Sequence, residues 1–279
     1  NDGVGSVRAE VAKQGYGLDI LINDESELVR EEVASQGYGL DTLINDEHYF
    51  VRAAVASQGY GLDILINDES EFVRTAVAKQ GYGLDILIKD KCGFVRREVA
   101  KHGISLEVLI NDESELVREQ VASQGYGLDI LVNDKQASVR NAVANQGYGL
   151  ETLVYDEDLF VRIRVAKQGY GFDILINDEH PAVRTEVANQ GYGLDILIND
   201  ENEIVSKICK DLKGVKDTFV IERKFGSYKG NLILYIFEDK YKIKSGCYET
   251  ESVEDWKLKC QEVLDANTAE IYSSKIICG

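Results

Sequence analysis

Basic residues are scarce in this chain of 279: 31 Lys and Arg stand against 49 Asp and Glu, for a net charge of −18 at neutral pH. A chain this short of cations neutralises phosphates poorly, which excludes direct nucleic-acid binding and anionic membranes as default partners and favours a basic protein. Long apolar runs are missing too. No window reaches the about 18 uninterrupted apolar residues of a membrane span, and no signal-peptide pattern is visible. The opening at Asn1 rather than methionine suggests a trimmed start. The five cysteines, Cys92, Cys209, Cys247, Cys260 and Cys278, are odd in number and form no CxxC pair. This fits a reducing, cytoplasmic setting better than a disulfide framework. No glycine-rich phosphate loop, metal-ligand cluster or isolated acid–base pair is visible, so the chain reads as a non-enzyme with no cofactor.

What is present is a repeat. Val-Arg recurs every 22 residues at Val7, Val29, Val51, Val73, Val95, Val117, Val139, Val161 and Val183, giving nine complete units over residues 7–204. The pattern is VRxxVAxQGYGLDxLIxDxxxφ, and it breaks at Val205-Ser206, where Ser replaces Arg. Asp24 and Asp68, with Glu27 and Glu71 three residues on, read as the N-caps and capping boxes of a helix of about twelve residues. Gly37, Gly59 and Gly81 suit the left-handed position that ends such a helix, and Gly39, Gly61 and Gly83 permit a tight turn. The single proline, Pro181, falls in a first helical turn, where its missing N–H costs little.

After the turn, Leu62, Leu65 and Ile66 share one side of a short helical segment, with a short strand as the competing reading because Ile64, Ile86 and Ile130 are β-branched. On a helical wheel Leu28, Val29, Val33 and Ala34 span about 240°, an arc that needs cover on several sides. One 22-residue unit cannot supply that cover, and stacked neighbours can.

The succession VRxxVA, a turn, then LxxLxxD resembles the variant leucine-rich repeat, a bacterial HEAT-like family in which α-helices alternate with 3₁₀ helices. Here the units carry Gln-Gly-Tyr-Gly where that family more often has a proline-containing turn. The resemblance implies a protein-interaction scaffold. Its iron–sulfur segment is not carried over, since no cysteine precedes Cys92. The expected fold is mostly α: a right-handed α-solenoid over residues 1–204, followed by a small α+β capping domain over residues 205–279.

Several ladders run along the array. Arg8, Arg30, Arg52, Arg74, Arg96, Arg118, Arg140, Arg162 and Arg184 sit between apolar positions, so each is expected to bury its stem and pair with an Asp of its own or an adjacent turn. Tyr60, Tyr82, Tyr126 and Tyr148, with their equivalents, form either an aromatic recognition stripe or a seal over the turn. The Asn row, such as Asn67, reads as a turn device.

Residues 1–204 carry 18 basic and 37 acidic side chains, or −19, against 13 and 12, or +1, in residues 205–279. Glu25, Glu47, Glu69, Glu113, Glu157, Glu179 and Glu201 add an acidic row, expected at the first helical position. It is either a solvated face, a surface for a basic protein, or a nucleic-acid mimic acting as a decoy. One basic island interrupts it, with Lys89, Lys91, Cys92, Arg97, Lys101, His102 and Ser105 in one stretch. Drift in a redundant unit explains it, as does a specific contact or self-association through Lys91, Arg97 and Lys101.

Beyond Asp217 the pattern predicts a three-stranded meander and then a helix from Ser252 to about Leu264, with Trp256, Leu258 and Val263 packed on the sheet. Its IKSGCYETESVEDWKLK stretch is similar to a short Gly-Cys module at the ends of bacterial repeat proteins. Cys247 is a third, enzymatic possibility, weakened by the absence of any His in this segment.

Overall fold

The structure, a computed structural model, describes the backbone of residues 2–225, 228–237, 241–245 and 248–250, and the side chains of residues 5–214. The chain divides into two compact units, Asn1–Gln168 and Gly169–Gly279.

In the first unit long and short helices alternate. The long ones are α1 (Asp2–Lys13), α3 (Glu27–Ser35), α5 (Tyr49–Ser57), α7 (Glu71–Lys79), α9 (Gly93–Lys101), α11 (Glu115–Ser123), α13 (Ala137–Asn145) and α15 (Leu159–Lys167). Between them lie α2 (Leu18–Leu21), α4 (Leu40–Leu43), α6 (Leu62–Leu65), α8 (Leu84–Leu87), α10 (Leu106–Leu109), α12 (Leu128–Leu131) and α14 (Leu150–Leu153). Each long helix packs on the next in sequence order, from α1 on α3 to α13 on α15, a solenoid-like arrangement.

The long helices end as their glycines dictate. After α3, Gly37 adopts φ 75°, its N–H donates to the Ala34 carbonyl at 2.8 Å, and the Tyr38 N–H donates to the Val33 carbonyl at 3.3 Å. This pair of bonds is a Schellman motif, which satisfies carbonyls that a helix end would otherwise orphan. Tyr38 thus has a backbone role independent of its ring.

The start of the helix differs from expectation. Asp24 is not the N-cap; Ser26 is, and Glu27 is the first helical residue. The Asp24 carboxylate instead accepts the Ser26 N–H at 2.9 Å and the Arg8 guanidinium at 2.6 Å, so it closes an Asx turn and is turned away from the helix amides. The helix is therefore nine residues long, not about twelve, and no capping box forms. Glu25 and its equivalents precede the cap rather than occupying the first helical position.

The second segment is helical, not a strand. In α6, Leu65 and Ile66 N–H groups donate to the Gly61 and Leu62 carbonyls, both at 3.0 Å, an α-type turn. Shorter i→i+3 bonds, Ile64 to Gly61 and Asp68 to Leu65, flank it at both ends. Gly61 is held at φ 61°, and a Cβ there would run into Ile44 of the preceding repeat, so this glycine serves both the turn and the close approach of two repeats.

The core is a set of repeated rows. Val51, Val55 and Ala56 are fully buried, Leu65 nearly so, and the same positions are buried in neighbouring repeats. Leu28 is the exception to the wheel. It and Phe50, Phe72 and Phe94 stay exposed, because the adjacent helices and short turns cover the arc from Val29 to Ala34 and stop there.

The second unit holds α16 (Phe172–Leu175), α17 (Pro181–Asn189), α18 (Leu194–Leu197) and α19 (Glu203–Lys213). Pro181 is at the first position of α17, as its missing N–H permits. Ser206, standing where the repeat has Arg, donates to the Ile198 carbonyl at 2.7 Å and makes no long-range pair. Among the described residues four strands follow: β1 (Val215–Phe225), β2 (Tyr228–Phe237), β3 (Tyr241–Ser245) and β4 (Tyr248–Thr250). They pair antiparallel in sequence order, with Phe219 opposite Leu234 and Lys244 opposite Glu249. The meander thus has a fourth strand, too short at three residues to stand out as a sequence run. Cys247, the expected helix from Ser252 and Trp256 lie outside the described residues.

Candidate partner-binding surface

The arginines define the frame on which any surface is built. In α7, Arg74 sends Nε to Asp90 Oδ2 at 2.6 Å and Nη2 to Asp90 Oδ1 at 3.0 Å, while Nη1 donates to the Asp68 carbonyl at 2.7 Å. Arg74 therefore joins two successive Asp turns, since one carboxylate cannot take all five of its donors. The same bidentate pairing links Arg8 to Asp24, Arg30 to Asp46, Arg52 to Asp68, Arg96 to Asp112, Arg118 to Asp134 and Arg140 to Asp156. Arg162 donates to the Asp156 and Glu157 carbonyls, and in the second unit Arg184 pairs with Asp200. Most of these side chains are buried at both ends, which leaves the guanidinium no opening toward a ligand. Burial alone would push the Asp68, Asp90 and Asp134 carboxyls up, but the arginine and the backbone N–H of the Asx turn more than offset it and hold them below the usual carboxylate range.

The glutamines form a second frame. The Gln58 side-chain amide donates to the Ser35 carbonyl at 3.0 Å, Gln80 to Ser57 at 3.0 Å and Gln146 to Ser123 at 3.1 Å. Each glutamine thereby satisfies the last carbonyl of the preceding long helix. His102 replaces Gln in the unusual repeat and reaches one residue further back, its Nε2 lying 2.9 Å from the Ala78 carbonyl, next to last in α7. A carbonyl only accepts, so this nitrogen carries the proton.

One surface open to a partner lies on the short turns. Ile20, Ile64, Ile86, Val108 and Ile130, the third residues of α2, α6, α8, α10 and α12, are 56–76% exposed; α4 and α14 carry Thr42 and Thr152 at this position. An exposed acid, such as Asp63, Asp85 or Asp129, precedes each. Glu25, Glu47, Glu69, Glu113 and Glu157 run alongside with 86–91% of the side chain exposed, their tips 3.3–3.8 Å from the Arg guanidinium of the same turn. Shallow grooves separate successive turns. One is lined by Ile44, Asp46, Ile64, Leu65, Asp68 and Glu69. The next is lined by Ile66, Asp68, Glu69, Ile86 and Asp90, and takes Lys89 and Lys91 into its wall. In the sequence Ile64, Ile86 and Ile130 favoured only the strand alternative, because they lie off the i, i+3, i+4 core spacing. The signal of the exposed row was that recurrence of an apolar residue.

Tyr60, Tyr82, Tyr126 and Tyr148 stand on the turn after each long helix, 41–43% exposed. Among the described residues no ring contact joins one of these tyrosines to the next. The basic island is divided. Lys91 lies in the groove wall, Arg96 is buried against Asp112, and Lys101 pairs with Glu98 at 2.7 Å, while Arg97 sits half-buried on the outer line of α9. Ser105, at φ 54°, occupies a left-handed position held by glycine in the other repeats.

Among the described residues no group of His, Cys, Asp or Glu is arranged to hold a metal ion, and no helix is long and apolar enough to cross a membrane. Burial pushes the Cys209 thiol up to about 11, away from the reactive thiolate. No protein-family model and no curated protein matches the chain.

Proposed function

We propose that the protein is a non-enzymatic interaction scaffold that offers an acidic, apolar-striped repeat surface to a basic protein partner in the cytoplasm. The observation that carries this reading is the row of exposed isoleucines set between two rows of exposed carboxylates. Exposed β-branched side chains at a fixed interval supply the contact area, and the carboxylates supply steering and register. The period, the Val and Ala core rows and the alternation of helix lengths support a right-handed solenoid of the variant leucine-rich-repeat type, with residues 205–279 as an α+β cap. The four-residue α turns are a departure from that family's 3₁₀ segments.

The test uses the full chain as bait in a lysate of its source at low and high salt. A basic protein retained by the wild type, weakened by salt and lost from the Ile64→Ser, Ile86→Ser, Ile130→Ser variant supports the reading. Equal capture by that variant overturns it. Displacement of the captured protein by DNA or RNA would favour the decoy reading instead.

A further inference from the structure

A different face of the molecule carries its own arrangement. The outer lines of α3, α5, α7 and α9 each run through two positions at i and i+3, which share one side of a helix. At the first position stand Leu28, Phe50, Phe72 and Phe94, all 39–56% exposed. Around them Tyr49 stacks on Phe72 with ring centroids 5.2 Å apart and meets Phe50 at 4.5 Å. The second position reads Glu31, Ala53, Thr75, Arg97: an acid, two small residues, a base. Neither Glu31 nor Arg97 has an ion-pair partner among the described residues, whereas Lys101 on the same helix is taken by Glu98.

From this order we infer that the protein forms a two-fold dimer through the outer face of α3, α5, α7 and α9. An axis parallel to the helices and passing between α5 and α7 sets α3 against α9 of the second copy and α5 against α7. Such an axis preserves height along the helices, so like rows meet like rows. Phe50 then faces Phe72 of the second copy, Leu28 faces Phe94, and Ala53 faces Thr75, whose small side chains let the helices approach. Glu31 faces Arg97 of the second copy, and the symmetry makes that pair twice. The patch is thus complementary to itself, the requirement for a closed isologous contact. An apolar aromatic centre with charges at its two margins is also the usual anatomy of an interface. Glu31 suits the role: burial and the neighbouring Glu32 already push its carboxyl up, so it gains from a cation brought opposite. This face is separate from the isoleucine row, so the two readings stand or fall independently.

Sedimentation equilibrium of the full chain tests it, with circular dichroism confirming that each variant folds. The wild type is expected to be a dimer in the micromolar range. Glu31→Arg and Arg97→Glu each put like charges opposite one another twice, and each is expected to weaken the dimer about tenfold or more. The double variant restores opposite charges at both places and should return the dissociation constant to within about threefold of wild type. Phe72→Ser should weaken the dimer with no rescue by the charge swap. A wild type that stays monomeric throughout the micromolar range, single variants that dimerise like the wild type, or a double variant no better than the singles would each overturn the inference.

Discussion

Arg118 shows what one side chain contributes here. It binds both oxygens of Asp134 at 2.6 and 3.0 Å and the Asp112 and Glu113 carbonyls at 2.7 and 3.1 Å, with the ion pair almost wholly shielded from solvent. Truncation would strand a buried carboxylate and two carbonyls at once. Arg118→Ala is therefore expected to lower unfolding free energy by about 3–5 kcal/mol, read from the urea midpoint, and adding Asp134→Asn should recover part of that loss. An unchanged midpoint would remove the ladder from the account of stability. Ser105 works in the opposite sense. A left-handed conformation costs a non-glycine residue about 1–2 kcal/mol, while glycine adds about 0.4–1 kcal/mol of unfolded-state freedom. Ser105→Gly should thus raise stability by about 0.5–1 kcal/mol. Ile88, half-buried beside its buried equivalents Ile44 and Ile66, should gain cover in that variant.

Within one element, the two glycines that bracket each tyrosine can be told apart. Gly59 is at φ 75° with open space where a Cβ would lie, and Gly61 is at φ 61° with Ile44 packed in that place. Gly59→Ala meets only the backbone cost of about 1–2 kcal/mol. Gly61→Ala adds overpacking of about 1–3 kcal/mol, and thermal melts of the two variants should separate by that margin. Equal losses would mean that the repeats do not depend on this close approach. The sequence pattern reached both glycines as turn residues, because φ above zero has a composition signature. It did not reach the packing against Ile44, which depends on how repeats stack. The same limit explains the other differences. An Asp three residues before a Glu reads as a cap until a neighbouring Arg claims its carboxylate. The Gln row looks like turn polarity until the preceding helix end lies beside it. A wheel places Leu28 in the apolar arc, yet only the neighbours' reach decides where burial stops. Period, core rows and the glycine-marked helix ends were local properties and were legible, and the Arg and Asp spacing pointed to their pairing; the helix starts, the Gln bonds and the packing of one repeat's Ile on the next repeat's Gly were not legible.

For the molecule as a whole, the charge is uneven in kind as well as amount. The exposed Glu rows repel one another and gain little from the arginines they brush, whereas Asp24, Asp46, Asp68, Asp90, Asp134 and Asp200 are held below their ordinary values by pairing. A carboxyl with a lowered folded value contributes stability that is complete above its unfolded value, near about 4, and is lost as pH falls through the folded one. Glu31, whose value is raised, acts with the opposite sign but is a single group. Acid also relieves repulsion in the net −18 chain, an opposing effect. The ladder should dominate because its groups are desolvated and doubly bonded, while the surface rows are screened. Urea midpoints are thus expected to hold nearly level from pH 7 to 5 and to fall steeply below about pH 4. Arg118→Ala should show a shallower fall over that lower range, since Asp134 no longer has a depressed value to lose. A wild type whose midpoint is flat to about pH 3, or an Arg118→Ala variant with an undiminished fall, would remove the ladder from the account of acid sensitivity.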